Sequence, residues 1–191
     1  MKIITPPTYE PLTVQEVANY LRVDDLAEET TLLGMLITAA RQNVEQYLNK
    51  FIATQTVEFA FDTFEDTFEL TSPLQSVESI KYLDRNNVEQ TLASNQYLVN
   101  SYEEPATITP AFGVAYPDTY EVSNAVKIRC VVGYTTGDSP DDFPMPEPIK
   151  FAMLLTIGDL YANREGVGDK NYNINPTVQN LLHFYRIKIG V

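Results

Sequence analysis

The sequence predicts an α+β fold: a helical bundle of two N-terminal and two C-terminal helices, with an antiparallel β module inserted between the pairs. Three observations predict it. Apolar residues recur at a helical period up to Lys50, then alternate strictly in TQTVEFAFD. Alternation lasts through AVKIRCVVGY and gives way to a Pro- and Asp-rich stretch, TTGDSPDDFPMPEP. Helical period then returns in IKFAMLLTIGDLYANRE. The expected division is residues 1–53 as the N-terminal helical half, 54–134 as the β module, 135–148 as a linker, and 149–191 as the C-terminal half with an apolar tail. Neither helical pair is long enough to bury its apolar face alone, so the two are expected to pack together.

The first helix is TVQEVANYLRV. Thr13 and Glu16 have capping-box spacing, and Val14, Val17 and Leu21 form an i, i+3, i+7 stripe. Asp24 and Asp25 end it and are able to cap the next helix, expected from about Glu28 to Lys50. Its expected buried face is Leu33, Leu36, Ala40, Val44, Tyr47 and Leu48, with Arg41, Gln42, Glu45 and Gln46 in water. In the β module Val57, Phe59 and Phe61 share one side of a strand. FELT, VESIKYLD, VEQTL, QYLVNSY, ATITP and AVKIRCVVGY are the further strands, separated by turn residues such as Asp84–Asn87. The third helix starts after Pro148 and is expected to turn Phe151, Leu154, Leu155, Gly158, Tyr161 and Ala162 inward. The last, PTVQNLLHFYRIKI, has Asn175 as N-cap and Pro176 in its first position.

A formal charge of −13 repels DNA phosphates and anionic lipid. The opening LTVQEVANYLRVDD has the look of a helix-turn-helix entry. Between Val23 and Ala40, however, there is no lysine or arginine to meet phosphate, and Asp24, Asp25, Glu28 and Glu29 crowd the helix start. No apolar run reaches the ~18 residues that read as a membrane span. The opening MKIITPPTYEPL, with two prolines and no apolar run, does not read as a secretory signal. Cys130 is the single cysteine and reads as a small buried hydrophobe.

Catalytic, cofactor and metal residues are all expected to be absent. The acids of DTFEDTFE, residues 62–69, are best read as a hairpin with Phe64 to Asp66 at its tip, lacking calcium-loop spacing. His183 is the only histidine, and no nucleophile elbow or phosphate loop is present. In GDLYANREGVGD, Asp159, Asn163, Arg164, Glu165 and Asp169 cluster around a helix end at Gly166. Near the C-terminal end, HFYRIKIGV carries Phe184, Tyr185, Ile187, Ile189 and Val191, more apolar residues than one helical stripe needs. Their alternation reads as an extended segment that either adds to a neighbouring subunit or folds back on its own domain. These five residues are the candidate assembly interface.

The order LTVQEVANYLRVDD, LLGMLITAARQNVEQYLNK with TQT, SPLQSVESIKYLDRNNVEQTL, VGYTTG…MPEPIKFAMLLTIGDLYANREGV and PTVQNLLHFYRI resembles the head–tail connector (adaptor, head-completion) proteins of long-tailed bacteriophages and prophages. The resemblance runs from about Leu12 to Arg186. It implies a structural, non-enzymatic protein of the virion neck, assembled in the bacterial host cytoplasm. Its implied partners are copies of itself in a ring, with a monomer in isolation as the alternative, the portal protein above and the next neck or tail completion protein below. Genome DNA would pass through the channel without specific binding, and no membrane is involved. Two other classes stay open: a hydrolase using carboxylates of the linker and Asp159, and a generic interaction module binding through the β insertion.

Overall fold

The computed structural model describes residues 1–71, 73–135, 143–163 and 175–187. It is a mixed helix and antiparallel-sheet fold in two compact units. One comprises Met1–Thr8 and Ala53–Tyr134, the other Tyr9–Ile52 and Thr135–Val191.

The first unit holds β1 (Lys2–Thr5), β2 (Gln55–Phe61), β3 (Phe68–Leu70), β4 (Leu74–Leu83), β5 (Glu89–Thr91), β6 (Tyr97–Asn100), β7 (Ala106–Pro110) and β8 (Val126–Val132). They form a five-stranded sheet in the order β1-β2-β8-β4-β5 and a three-stranded sheet in the order β3-β7-β6, with every pairing antiparallel. β8 alternates without a break: Val126, Ile128, Cys130 and Val132 are buried, while Lys127, Arg129 and Val131 are half-exposed. Val57 and Ile80 join its buried face, and Phe68, Leu70, Ala106 and Ile108 are buried on the smaller sheet. The two sheets meet where Phe61 and Phe68 lie 4.6 Å apart between ring centroids. Gly133 ends β8 at φ +105, with the Ala53 carbonyl oxygen only 2.5 Å from where a Cβ would stand. No other residue type fits that crossing.

Two expectations fail in this unit. Residues 2–5, assigned to the N-terminal helical half, are the edge strand β1. The strand is too short for its alternation to register in the sequence, and Pro6 and Pro7 stop it. The run 62–69 is not the tip of a β2–β3 hairpin. β2 already has β1 on one side and β8 on the other, so β3 has no edge there and pairs with β7 instead. Phe64 consequently turns inward, stacked on Tyr116 at 4.6 Å and edge-on to Tyr82 at 5.4 Å.

The second unit holds α1 (Val14–Leu21), α2 (Leu26–Leu48), α3 (Glu147–Ala162) and α4 (Pro176–Leu182), the last followed by a 3₁₀ turn at His183–Tyr185. Local capping chemistry sets the starts. Thr13 and Glu16 complete a capping box, Asp25 accepts from the Ala27 and Glu28 N–H groups, and Asn175 accepts from Thr177. α2 packs against α3 and α1, and α3 also carries α4. The buried residues of α2 are Leu33, Ile37, Ala40, Arg41, Val44 and Leu48, so Ile37 replaces Leu36 in the core. In α3 they are Ile149, Ala152, Met153 and Ile157, whereas Phe151 and Ala162, both expected inward, are exposed. That helix is apolar on most of its circumference, so its periodicity does not single out a face.

Candidate functional site

The candidate assembly residues begin where α4 runs out. Val178 and Leu182 bury the short helix, and the chain then tightens into the 3₁₀ turn. Phe184 projects from this turn 90 % exposed, with His183 edge-on to it at 5.8 Å. Tyr185 is half-buried. The Arg186 guanidinium lies 5.3 Å from the centre of the Tyr47 ring, a cation–π contact. Ile187 is held at the end of α2: its N–H donates to the Leu48 carbonyl at 2.9 Å, and the Asn49 side-chain amide donates to the Ile187 carbonyl at 3.0 Å. The last carbonyls of a helix have no partner within it, so the segment supplies one. Phe184 and Ile187 thus have different surroundings, Phe184 facing solvent and Ile187 on its own unit. Ile189 and Val191 lie outside the described residues.

The charged cluster of GDLYANREGVGD is only partly described. Asp159 is exposed, its backbone carbonyl accepts from the Asn163 amide, and its carboxylate accepts from Asn175 at 3.2 Å. Arg164, Glu165, Gly166 and Asp169 lie outside the described residues. Among the described residues no three His, Cys, Asp or Glu side chains are grouped as metal ligands.

A different charged group is buried. The Arg41 guanidinium, expected in water, donates to Glu10 at 2.7 and 3.2 Å and to Glu45 at 3.0 Å. Thr38 also donates to Glu10, and the second oxygen of Glu45 accepts the Ile52 N–H at 2.8 Å. These bonds fasten residues 10 to 52 together. Cys130 is fully buried, and its thiol is pushed up to about 12 by burial and by the charge of Glu78, so it is neither a nucleophile nor a ready ligand.

The sequence reading passed over one apolar surface. β6 is an edge strand whose Leu98 and Val99 are exposed, and Tyr102 and Phe112 beside it are fully so. The signal was present: residues 94–102, SNQYLVNSY, carry no charge in a strongly acidic chain.

No family model matches the chain, and no curated protein matches it. Among solved structures it is similar to a chain of the virion of a native gene transfer agent (GTA) particle, at 19% identity and a TM-score of 0.74, covering 99% of this chain and 98% of the other. It is similar to chains in the neck of the empty GTA particle computed with C6 symmetry (18%, TM-score 0.71) and of the native particle computed with C12 symmetry (19%, TM-score 0.69). Both of these matches also cover 99% of this chain and 98% of the other. The chain therefore shares, almost end to end, the fold of chains found in the virion and neck of a GTA particle.

Proposed function

We propose that this chain is a structural head–tail connector of a tailed bacteriophage, a prophage or a related particle. It forms a ring beneath the portal, extends the DNA channel, and docks the next neck or tail protein. The observation that carries this reading is the full-length fold likeness to neck chains of a particle with rotational symmetry. The order of sequence pieces that resembles the connector family supports it independently. In this reading the helical unit is the family's bundle and the sheets are its insertion. The protein acts by contact and not by catalysis, with the portal and the next neck protein as partners and the virion neck as its place. Its exposed Phe184 and uncharged β6 edge are surfaces for those contacts. The charge of −13 lets the genome slide past without specific binding.

Deleting the gene from its host genome and imaging the induced particles by electron microscopy tests the reading. Filled heads without tails are the expected outcome, with the protein found in the neck of particles made by the intact genome. Normal tailed particles from the deletion would refute it.

A further inference from the structure

The cations of the sheet unit are gathered on one surface. That unit contains Lys2, Lys81, Arg85, Lys127 and Arg129, and all but Arg85 stand on the outward face of the five-stranded sheet. The strand register puts them there. Lys2 is opposite Glu58, Glu58 is opposite Arg129, and Lys127 is opposite Lys81. Val126, Ile128 and Cys130, which alternate with these positions, are buried on the other side.

Few carboxylates accompany them. Glu58 bonds Arg129 at 2.7 Å and Glu89 bonds Lys81 at 2.8 Å, while Glu78 lies in the bulge between Val77 and Ser79. Lys127 has no ion-pair partner among the described residues and lies directly across from Lys81. Like charges directly opposite in an antiparallel pair destabilise a sheet. Glu89 is held below the usual carboxylate range first by the hydrogen bond from Lys81 and then by the charges of Lys81, Lys127 and Arg129. Arg129 and Lys81 thus each have a carboxylate of their own, and Lys127 stands between them without one among the described residues. An open groove of about 660 Å³, lined by Lys2, Glu58, Ala60, Leu83 and Lys127, runs along this face.

The same unit presents the opposite charge elsewhere. In the run 62–69, Glu65, Asp66 and Glu69 are exposed and have no ion-pair partner among the described residues. We infer that the outward face of the five-stranded sheet receives a second copy of this chain, through that copy's acidic residues Glu65, Asp66 and Glu69. The inference rests on the ring reading above. A contact between two different surfaces of identical subunits is heterologous, the kind that builds a ring where the rotation from copy to copy closes and a filament where it does not. Both surfaces belong to one compact unit, so the contact is set by that unit alone. Nucleic acid is the other polyanion that would suit four cations. Glu58 and Glu89, interleaved with the cations on the face, would meet phosphates at close range and favour the protein partner.

Two copies at −13 also repel each other as wholes, so added salt weakens both terms and does not isolate the contact. Charge reversal does. Sedimentation velocity over a concentration series should show that Lys127→Glu and Asp66→Lys each weaken self-association about tenfold or more in Kd, and that the double variant regains most of the loss. Lys127→Glu replaces a like-charge pair with an attractive one, so its Tm should not fall below that of the unaltered protein. The inference is overturned if the single variants associate as the unaltered protein does, if the double variant fails to recover, or if the unaltered protein stays monomeric throughout. It is equally overturned if the unaltered protein retains a random-sequence duplex at physiological salt and Lys127→Glu abolishes that binding, which would make the face a nucleic-acid surface. Imaging particles that carry the unaltered protein or a single variant separates the two ideas. Unaltered protein absent from the neck sinks the connector reading, whereas unaltered protein in the neck, with single variants that enter it equally well, sinks only the inference.

Discussion

Ile187 closes the end of α2 by donating its N–H to the Leu48 carbonyl at 2.9 Å, while Asn49, the left-handed C-cap at φ 55, donates its side-chain amide to the Ile187 carbonyl at 3.0 Å. A residue beyond α4 therefore completes a helix that begins at Leu26. Phe184, three positions earlier, makes no comparable attachment and stands in solvent.

These two residues should separate stability from assembly. Truncation after Arg186 removes both hydrogen bonds, a loss of about 1–2 kcal/mol. For a chain of this size that lowers Tm by roughly 2–4 °C per kcal/mol in a thermal melt. Phe184→Ser should leave Tm within about 1–2 °C, as expected for an exposed position. It should weaken binding to the portal measured by pull-down or calorimetry. Unimpaired portal binding by Phe184→Ser would remove that residue from the assembly surface.

Arg41→Met should be among the most destabilising single changes in the helical unit. It leaves Glu10 and Glu45 facing each other with side chains 29% and 12% exposed. Removing one partner of a buried ionic group costs about 3–5 kcal/mol, and the partial exposure of Glu10 puts the expected value near the lower end. Adding Glu10→Gln and Glu45→Gln should recover part of the loss in urea melts. A cost below about 1 kcal/mol would mean that the two glutamates find water or protonate without strain.

Acid should act through Glu16. Its carboxyl is lowered from 4.5 to about 2, first by the hydrogen bond from Lys150 and then by the Thr13 backbone N–H. A depressed folded-state pKa contributes stability above the unfolded value that is lost as pH falls through the folded one. The contribution is therefore fully present above about 4.5 and fades towards 2. The side chain is 42% exposed, so screening keeps its worth to about 1 kcal/mol or less. Glu16→Gln should flatten the stability profile in that window, and an NMR titration placing Glu16 at an ordinary value would contradict the assignment.

Excising the sheet unit tests the proposed division of the chain. Because β1 pairs with β2, residues 1–8 must go together with 53–134, and a short Gly-rich linker should join Ile52 to Thr135. The remaining chain should melt cooperatively, with a helical spectrum. A non-cooperative melt would show that the helices need the sheets to fold.

Much of this protein is written locally. Thr13 with Glu16, Asp25 and Asn175 were legible as caps because a cap needs only residues within one turn. Cys130 was legible as core because β8 alternates over its whole length, and the same alternation placed Lys127 and Arg129 together on the opposite face. Tertiary structure decided whatever depends on a distant partner. β3 joined the smaller sheet because β1 and β8 had already taken both edges of β2, a competition that no single segment encodes. The inward face of α3 was set by its neighbours, since the helix is apolar nearly all round. Arg41 left water because Glu10, 31 residues away, supplies the charge that burial demands. Ile187 folded back because α2 ends with carbonyls that lack donors, and only the packed chain brings a donor 138 residues downstream of Asn49 within reach.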